Sequence, residues 1–262
     1  MKDAPNKPVT QSSDSRASCE AEELGRLLGV LAHEIKNPLS TIKVNLRLID
    51  EELSASPKAG ETSPIGGQTS HADERLARAR RKLAVIDKEA TRLEQILDGF
   101  LRYADQTQPR LTTLDINSLM GDMVDFFLPQ AIAHSITLRQ SFCKKPLLCP
   151  VDADMFKQAV LNLFINAQQA IGVGGELMVR TMSEGNCAQI QISDTGKGIP
   201  ADRLANIFQP YQSTRPDGSG LGLATIKKII EAHRGTISVV SEQGKGTAFT
   251  ISLPLASPED NR

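Results

Sequence analysis

The chain has 262 residues, 40% of them hydrophobic and 23% charged, with 30 basic and 31 acidic side chains and a net charge of −1. That composition suits a globular protein of one large domain or two modest ones, with no global pull towards nucleic acid or an anionic membrane. Trp is absent and Tyr occurs twice, which leaves little for stacking single-stranded bases, and no apolar run approaches the roughly 18 to 20 residues that span a bilayer.

Residues 1–20 are polar, rich in Ser, Pro, Asp and Lys, and lack the apolar core of a signal peptide; they are expected to form a disordered tail. Cys19, Cys143, Cys149 and Cys187 show no C-x-x-C spacing, so free thiols in a reducing, cytoplasmic compartment are expected.

From Leu24 the apolar positions Leu27, Leu28, Leu31, Ile35, Leu39, Ile42, Leu46 and Ile49 recur in steps of three and four, the signature of one helical stripe. Leu76, Leu83, Ile86, Ala90, Leu93, Leu97 and Phe100 repeat that rhythm in a second helix. Between them 54–70 holds Pro57, Gly60, Pro64, Gly66 and Gly67 without any period, a long loop for a helix connection. Two amphipathic helices cannot bury both stripes in a lone hairpin. Residues 21–106 are therefore expected to pair with a second copy as a dimeric four-helix bundle, making the protein a homodimer.

After Gln106 the texture changes. Strands are expected at Leu111 to Ile116, Ile136 to Phe142, Leu177 to Met182, Ala188 to Ser193, Thr236 to Ser241 and Thr247 to Leu253. Helices are expected at Ser118 to Ala133, Asp154 to Ile171 and Leu221 to Ala232. This order predicts an α+β fold over 107–256, a sheet faced by helices as an α/β sandwich, before a short tail at 257–262.

Several short constellations carry chemistry. His33 lies two residues beyond Leu31, about 200° round the helix, so it points away from the core. Glu34 beside it can take the proton that an imidazole loses when it attacks phosphorus. Asn37, one turn on, lies near the same face. Pro38 cannot donate to the carbonyl of Glu34, so it either kinks this helix or starts a new one.

Asn162 and Asn166 stand one turn apart within the apolar context Leu161, Leu163, Phe164 and Ile165. An amide oxygen there suits Mg²⁺, a hard cation that bridges phosphates. Asp194 closes a strand and is followed by Gly196 and Gly198, letting a backbone approach an adenine whose amine the carboxylate accepts. Gly218, Gly220 and Gly222 precede a helix, where N–H groups cradle anions. The spacing is neither that of a Walker loop nor of a Rossmann turn. Ser213-Thr214-Arg215, between the glycine clusters, is expected to be a mobile lid.

Taken in order, these segments resemble the transmitter core of bacterial two-component sensor histidine kinases. The H box is Leu31-Ala-His-Glu-Ile-Lys-Asn-Pro-Leu39 and the N box Asn162-Leu-Phe-Ile-Asn-Ala167. The glycine boxes are Asp194-Thr-Gly-Lys-Gly-Ile-Pro200 and Gly218-Ser-Gly-Leu-Gly-Leu223, with the F box Ile207-Phe-Gln-Pro-Tyr211 between them. The resemblance covers about Glu22 to Leu255. It implies a dimerisation and histidine-phosphotransfer bundle followed by a Bergerat-type ATP-binding domain.

By residue it implies His33 as phosphoacceptor, Glu34 as its acid/base partner, and Asn37 as a residue for dephosphorylating a partner. Asn166 would be the main Mg²⁺ ligand, Asn162 a support for the phosphates and Asp194 the adenine acceptor. Gly196, Gly198, Gly218, Gly220 and Gly222 would shape the pocket and lid. The implied partners are a response regulator receiver domain, whose aspartate takes the phosphoryl group, and an upstream sensory protein. Two departures stand out: Gln169 where many members carry Lys, as in the nitrogen-regulation sensors, and the long 54–70 connection. A degenerate regulatory module and an ATPase or serine kinase using only the nucleotide half are the competing readings. The intact boxes argue against the first, and the His33-Glu34 helix against the second.

Overall fold

The computed structural model describes residues 11–54, 68–104, 108–212 and 220–256. The chain divides into two compact units, Met1–Ala104 and Asp105–Arg262.

The first unit is a helical hairpin of α1 (Gln11–Ser54) and α2 (Gln68–Ala104). At 1.5 Å per residue these helices run about 65 Å and about 55 Å. Helix α1 starts inside the stretch expected to be a disordered tail, so residues 11–20 correct that expectation. No Pro follows Pro8 until Pro38, and Ala, Arg and Glu carry the helix back towards its start. Residues 1–10, most of the expected 54–70 loop and the 257–262 tail lie outside the described residues.

Arg75 Nε donates to the carbonyl of Glu52 at 3.1 Å, and Lys82 pairs with the Glu52 carboxylate at 2.7 Å, fixing the register of the two helices. Leu31, Ala79 and Ile96 are buried where the helices meet. Much of the expected stripe is not covered within the hairpin: Leu28, Leu39, Leu46, Leu76, Leu83 and Leu97 are exposed.

The second unit is the α+β part. Its five-stranded sheet has the order β2-β4-β5-β7-β6, from β2 (Thr137–Ser141), β4 (Glu176–Glu184), β5 (Cys187–Asp194), β6 (Thr236–Glu242) and β7 (Gly246–Pro254). Strand β2 pairs parallel with β4, and the other neighbours are antiparallel. Along β5 every second residue is buried, the period-two pattern of a sheet with one face on the core. That core receives α3 (Ile116–Ala133), α4 (Ala153–Ile171) and α6 (Gly222–Ala232), with Phe127, Phe156, Phe164 and Ile226 fully buried.

Three elements depart from the expected order. Ile116 opens α3 instead of ending a strand, because Asp115 caps the helix by accepting from the N–H of Asn117. Strand β3 (Leu148–Val151) pairs only with β1 (Thr112–Asp115) in a separate two-stranded sheet. Its Pro150 masks it in the sequence, since proline is admitted only where no ladder bond is required. The short α5 (Ala201–Leu204) was also unforeseen.

Candidate functional site

In the first unit, α1 runs through Pro38 without a break, and Pro38 is buried inside it. His33 and Asn37 are exposed and Glu34 is half-buried. Burial raises the Glu34 carboxyl above its ordinary 4.5, while the guanidinium of Arg92 and then His33 pull it back. Just beyond the proline, Ser40 Oγ donates to the carbonyl of Lys36 at 2.8 Å and Thr41 Oγ1 to that of Asn37 at 3.3 Å. Such back-bonds bend helices, so the turn after His33 is held by hydroxyls as well as amides.

In the second unit, α4 carries Asn162 and Asn166, both half-buried, with Leu163 and Phe164 fixing the helix in the core. Asp152 caps the start of α4, accepting from Asp154 and Met155 N–H at 3.1 Å each. The other end of α4 meets the first glycine segment. Lys197 N donates to the carbonyl of Ala170 at 3.1 Å, and a Cβ on Gly196 would lie 2.6 Å from the Ala170 carbonyl carbon. Only glycine permits that approach. Asp194, buried at the end of β5, has Oδ1 held by the N–H of Gly196 at 2.8 Å. Gly198 stands at φ +66°, against the carbonyl of Glu242 from the β6–β7 hairpin.

Two residues that the motifs do not reveal lie behind Asp194. Thr247 is its direct partner in the β5–β7 ladder and is buried. Ser241 Oγ shares a 3.0 Å hydrogen bond with Thr247 Oγ1 and accepts from the N–H of Ile199 at 2.8 Å. Both come from the hairpin around Gly244, legible in the sequence only as a turn.

The second glycine segment is divided. Gly218 and the expected Ser213-Thr214-Arg215 lid lie outside the described residues. Gly220, at φ +66°, packs so closely that a Cβ would come within 2.5 Å of the Tyr211 carbonyl carbon, so the chain on either side of 213–219 meets at one place. Gly222 begins α6 with nothing near its missing side chain. No side chain caps the start of α6 and its first turn holds no acidic residue, which favours an anion there. Ile207 is buried and Phe208 meets Phe249 edge-on at 6.3 Å, anchoring the expected F box to β7.

The arrangement fits a nucleotide with its metal: a carboxylate at a strand end, glycines where a Cβ would clash, and amides on a neighbouring helix. Among the described residues no group of three or more His, Cys, Asp or Glu could cage a metal. An amide plus phosphate oxygens is the donor set Mg²⁺ accepts without such a cage. Among the described residues no helix is long and apolar enough to cross a membrane.

A fold of this kind, with this site, is that of the histidine kinase and gyrase class of ATPases. The family described as Histidine kinase-, DNA gyrase B-, and HSP90-like ATPase matches residues 151–257, and the His Kinase A (phospho-acceptor) domain matches 23–109. Sensor histidine kinase ZraS of Escherichia coli K12 is 36% identical over 88% of this chain and 46% of its own length. Sporulation kinase A of Bacillus subtilis is 31% identical over 88% of this chain and 34% of its own. The structure of histidine kinase ThkA in complex with response regulator TrrA superposes with a TM-score of 0.71, covering 99% of this chain and 70% of that one, at 22% identity, a likeness of fold. The two family matches together give the chain the transmitter core of the two-component sensor histidine kinases. The chain spans about half the length of the ZraS proteins it matches.

Proposed function

We propose that the chain is an ATP-dependent protein histidine kinase that phosphorylates His33 and passes the phosphoryl group to an aspartate on a separate response regulator. One observation carries the reading: a single polypeptide presents an exposed His33 beside a half-buried carboxylate, and glycines packed against the end of α4 and before the uncapped start of α6. In the transfer an imidazole nitrogen of His33 bonds to the γ-phosphorus as the bond to the ADP oxygen breaks. The ring proton goes to Glu34. Asp194 would orient adenine, Asn162 would support the phosphates, and Asn166 would hold Mg²⁺. Bound there, Mg²⁺ neutralises phosphate charge.

The regulator is the natural acceptor, and the regulator-bound ThkA supports that choice of partner. Asn37, exposed one turn beyond His33, is assigned to dephosphorylation of the regulator. The uncovered leucines of α1 and α2 support a homodimer, in which a second hairpin completes a four-helix bundle. Because the reaction consumes ATP, the core is read as working in the cytoplasm, under the control of an upstream sensory protein.

The test is incorporation of label from γ-labelled ATP and Mg²⁺ into wild type and His33→Gln. Acid-labile, alkali-stable label that disappears in His33→Gln is expected. Label that persists in the variant would overturn His33 as the acceptor.

A further inference from the structure

The register of the hairpin brings a charge to Glu34 that the H box does not contain. Arg75 meets the backbone of Glu52, and Lys82 Nζ lies 3.4 Å from the carbonyl of Leu48. In an antiparallel pair each step back along α1 matches a step forward along α2. Carried back to Glu34, that register reaches the turn of α2 spanning 93 to 96, immediately beside Arg92. Leu31 and Ile96, buried at this level, show that the helices are in close contact here.

Arg92 is one-third exposed, and the carboxylate it faces on its own helix, Glu89, is 3.9 Å away. That separation is at the limit of an ion pair, so Glu89 neutralises the guanidinium only weakly. The charged residues at the level of Glu34 are His33 and Lys36 on its own helix and, on α2, Glu94 within the matched turn, with Arg92 and Glu89 just before it. The charges acting on the carboxylate are Arg92 first and His33 second. A guanidinium keeps its charge throughout the working pH range, whereas His33 gives up its own when it serves as nucleophile.

We propose that Arg92 is a positioning residue for phosphoryl acceptance: from α2 it keeps the half-buried Glu34 carboxyl ionised and so able to take the proton from His33. The proposal rests on the reading of Glu34 as proton acceptor. It gives the second helix of the hairpin a part in the chemistry, and it makes the closeness of the two helices at this level a condition for activity.

The experiment titrates the Glu34 carboxyl by ¹³C NMR in the full chain, with Glu34→Gln to assign the resonance, in wild type, Arg92→Gln and Arg92→Lys. The pH profile of His33 phosphorylation is recorded for the same three proteins. In Arg92→Gln the proton affinity of Glu34 is expected to rise about three- to tenfold, the order expected for losing one charge several ångströms away. The acidic limb of the rate profile should move to higher pH by the same amount, with ATP affinity and helix content unchanged. Arg92→Lys should restore most of the wild-type behaviour. A Glu34 titration identical in wild type and Arg92→Gln would overturn the role of Arg92 and leave Glu34 in place. A titration that moves while the rate profile stays still would overturn Glu34 as proton acceptor, and the proposal with it.

Discussion

Gly220 and Gly222 are two residues apart in one motif, yet only Gly220 has neighbours that exclude a side chain. An alanine at 220 must hold a left-handed φ, costing about 1–2 kcal/mol, and push its Cβ into the backbone of Tyr211. Gly220→Ala is therefore expected to weaken ATP binding by roughly tenfold or more, read by titration calorimetry. Gly222→Ala should leave the fold intact and raise unfolding stability by about 0.4–1 kcal/mol, since its site is open and helical. Chemical denaturation of the two variants checks the contrast. Spacing alone could not separate these glycines, because their φ angles and neighbours are set by chain brought in from Tyr211. The same holds for Thr247, which pairs with Asp194 across more than fifty residues, and for Ser241, which pairs in turn with Thr247. Asp194 itself was legible because an acidic residue ending an alternating strand before two glycines is a local pattern.

Among the elements, α4 is the one on which the nucleotide half depends, and Asp152 governs its start. Asp152 Oδ2 accepts from the N–H of Arg110 at 2.8 Å, while Oδ1 caps the helix. The Asp152 N–H donates to Nε2 of the buried His233 at 2.9 Å, tying the start of α4 to the end of α6. The bond from Arg110, with those from Met155 and Asp154, holds the Asp152 carboxyl below its ordinary 3.8. A depressed carboxylate contributes stability that is fully present above its unfolded value and is lost as pH falls through the lower folded value. Asp152→Ala is expected to cost about 0.5–2 kcal/mol at neutral pH, with the difference from wild type shrinking below about pH 4. Urea unfolding at pH 7 and at pH 3 measures both numbers. Helices α4 and α6 and strand β5 could be read from the sequence because their periods are long and clean. Strand β3 could not, since four residues with an internal proline satisfy the pattern only when β1 is already beside them. The early start of α1 was hidden for a different reason: its polar composition matches both an exposed helix and a disordered tail.

For the whole molecule, the hairpin leaves more apolar surface uncovered than its own two helices can bury. Leu46 and Leu83, each about half exposed, are representative. If a second copy covers them, sedimentation should give twice the 28.4 kDa chain mass, with a thermal midpoint that rises with protein concentration. Leu46→Glu combined with Leu83→Glu is expected to yield a monomer that still binds ATP, because the second unit has its own core. A wild-type mass of one chain would remove the bundle from the picture. Helix α1 also has a mechanical character that follows from Pro38. A continuous α-helix is torsionally stiff, and a rotation introduced at one end is passed along its length. Pro38 leaves the Glu34 carbonyl without its amide partner, and the hydroxyls of Ser40 and Thr41 brace the next turn more softly than a second amide ladder would. Twist applied to this rod therefore collects at one compliant turn, and His33 lies on its rim. A small rotation from either direction is spent there, beside the His33 imidazole that we propose as phosphoacceptor, and little of it continues to the far end of the helix.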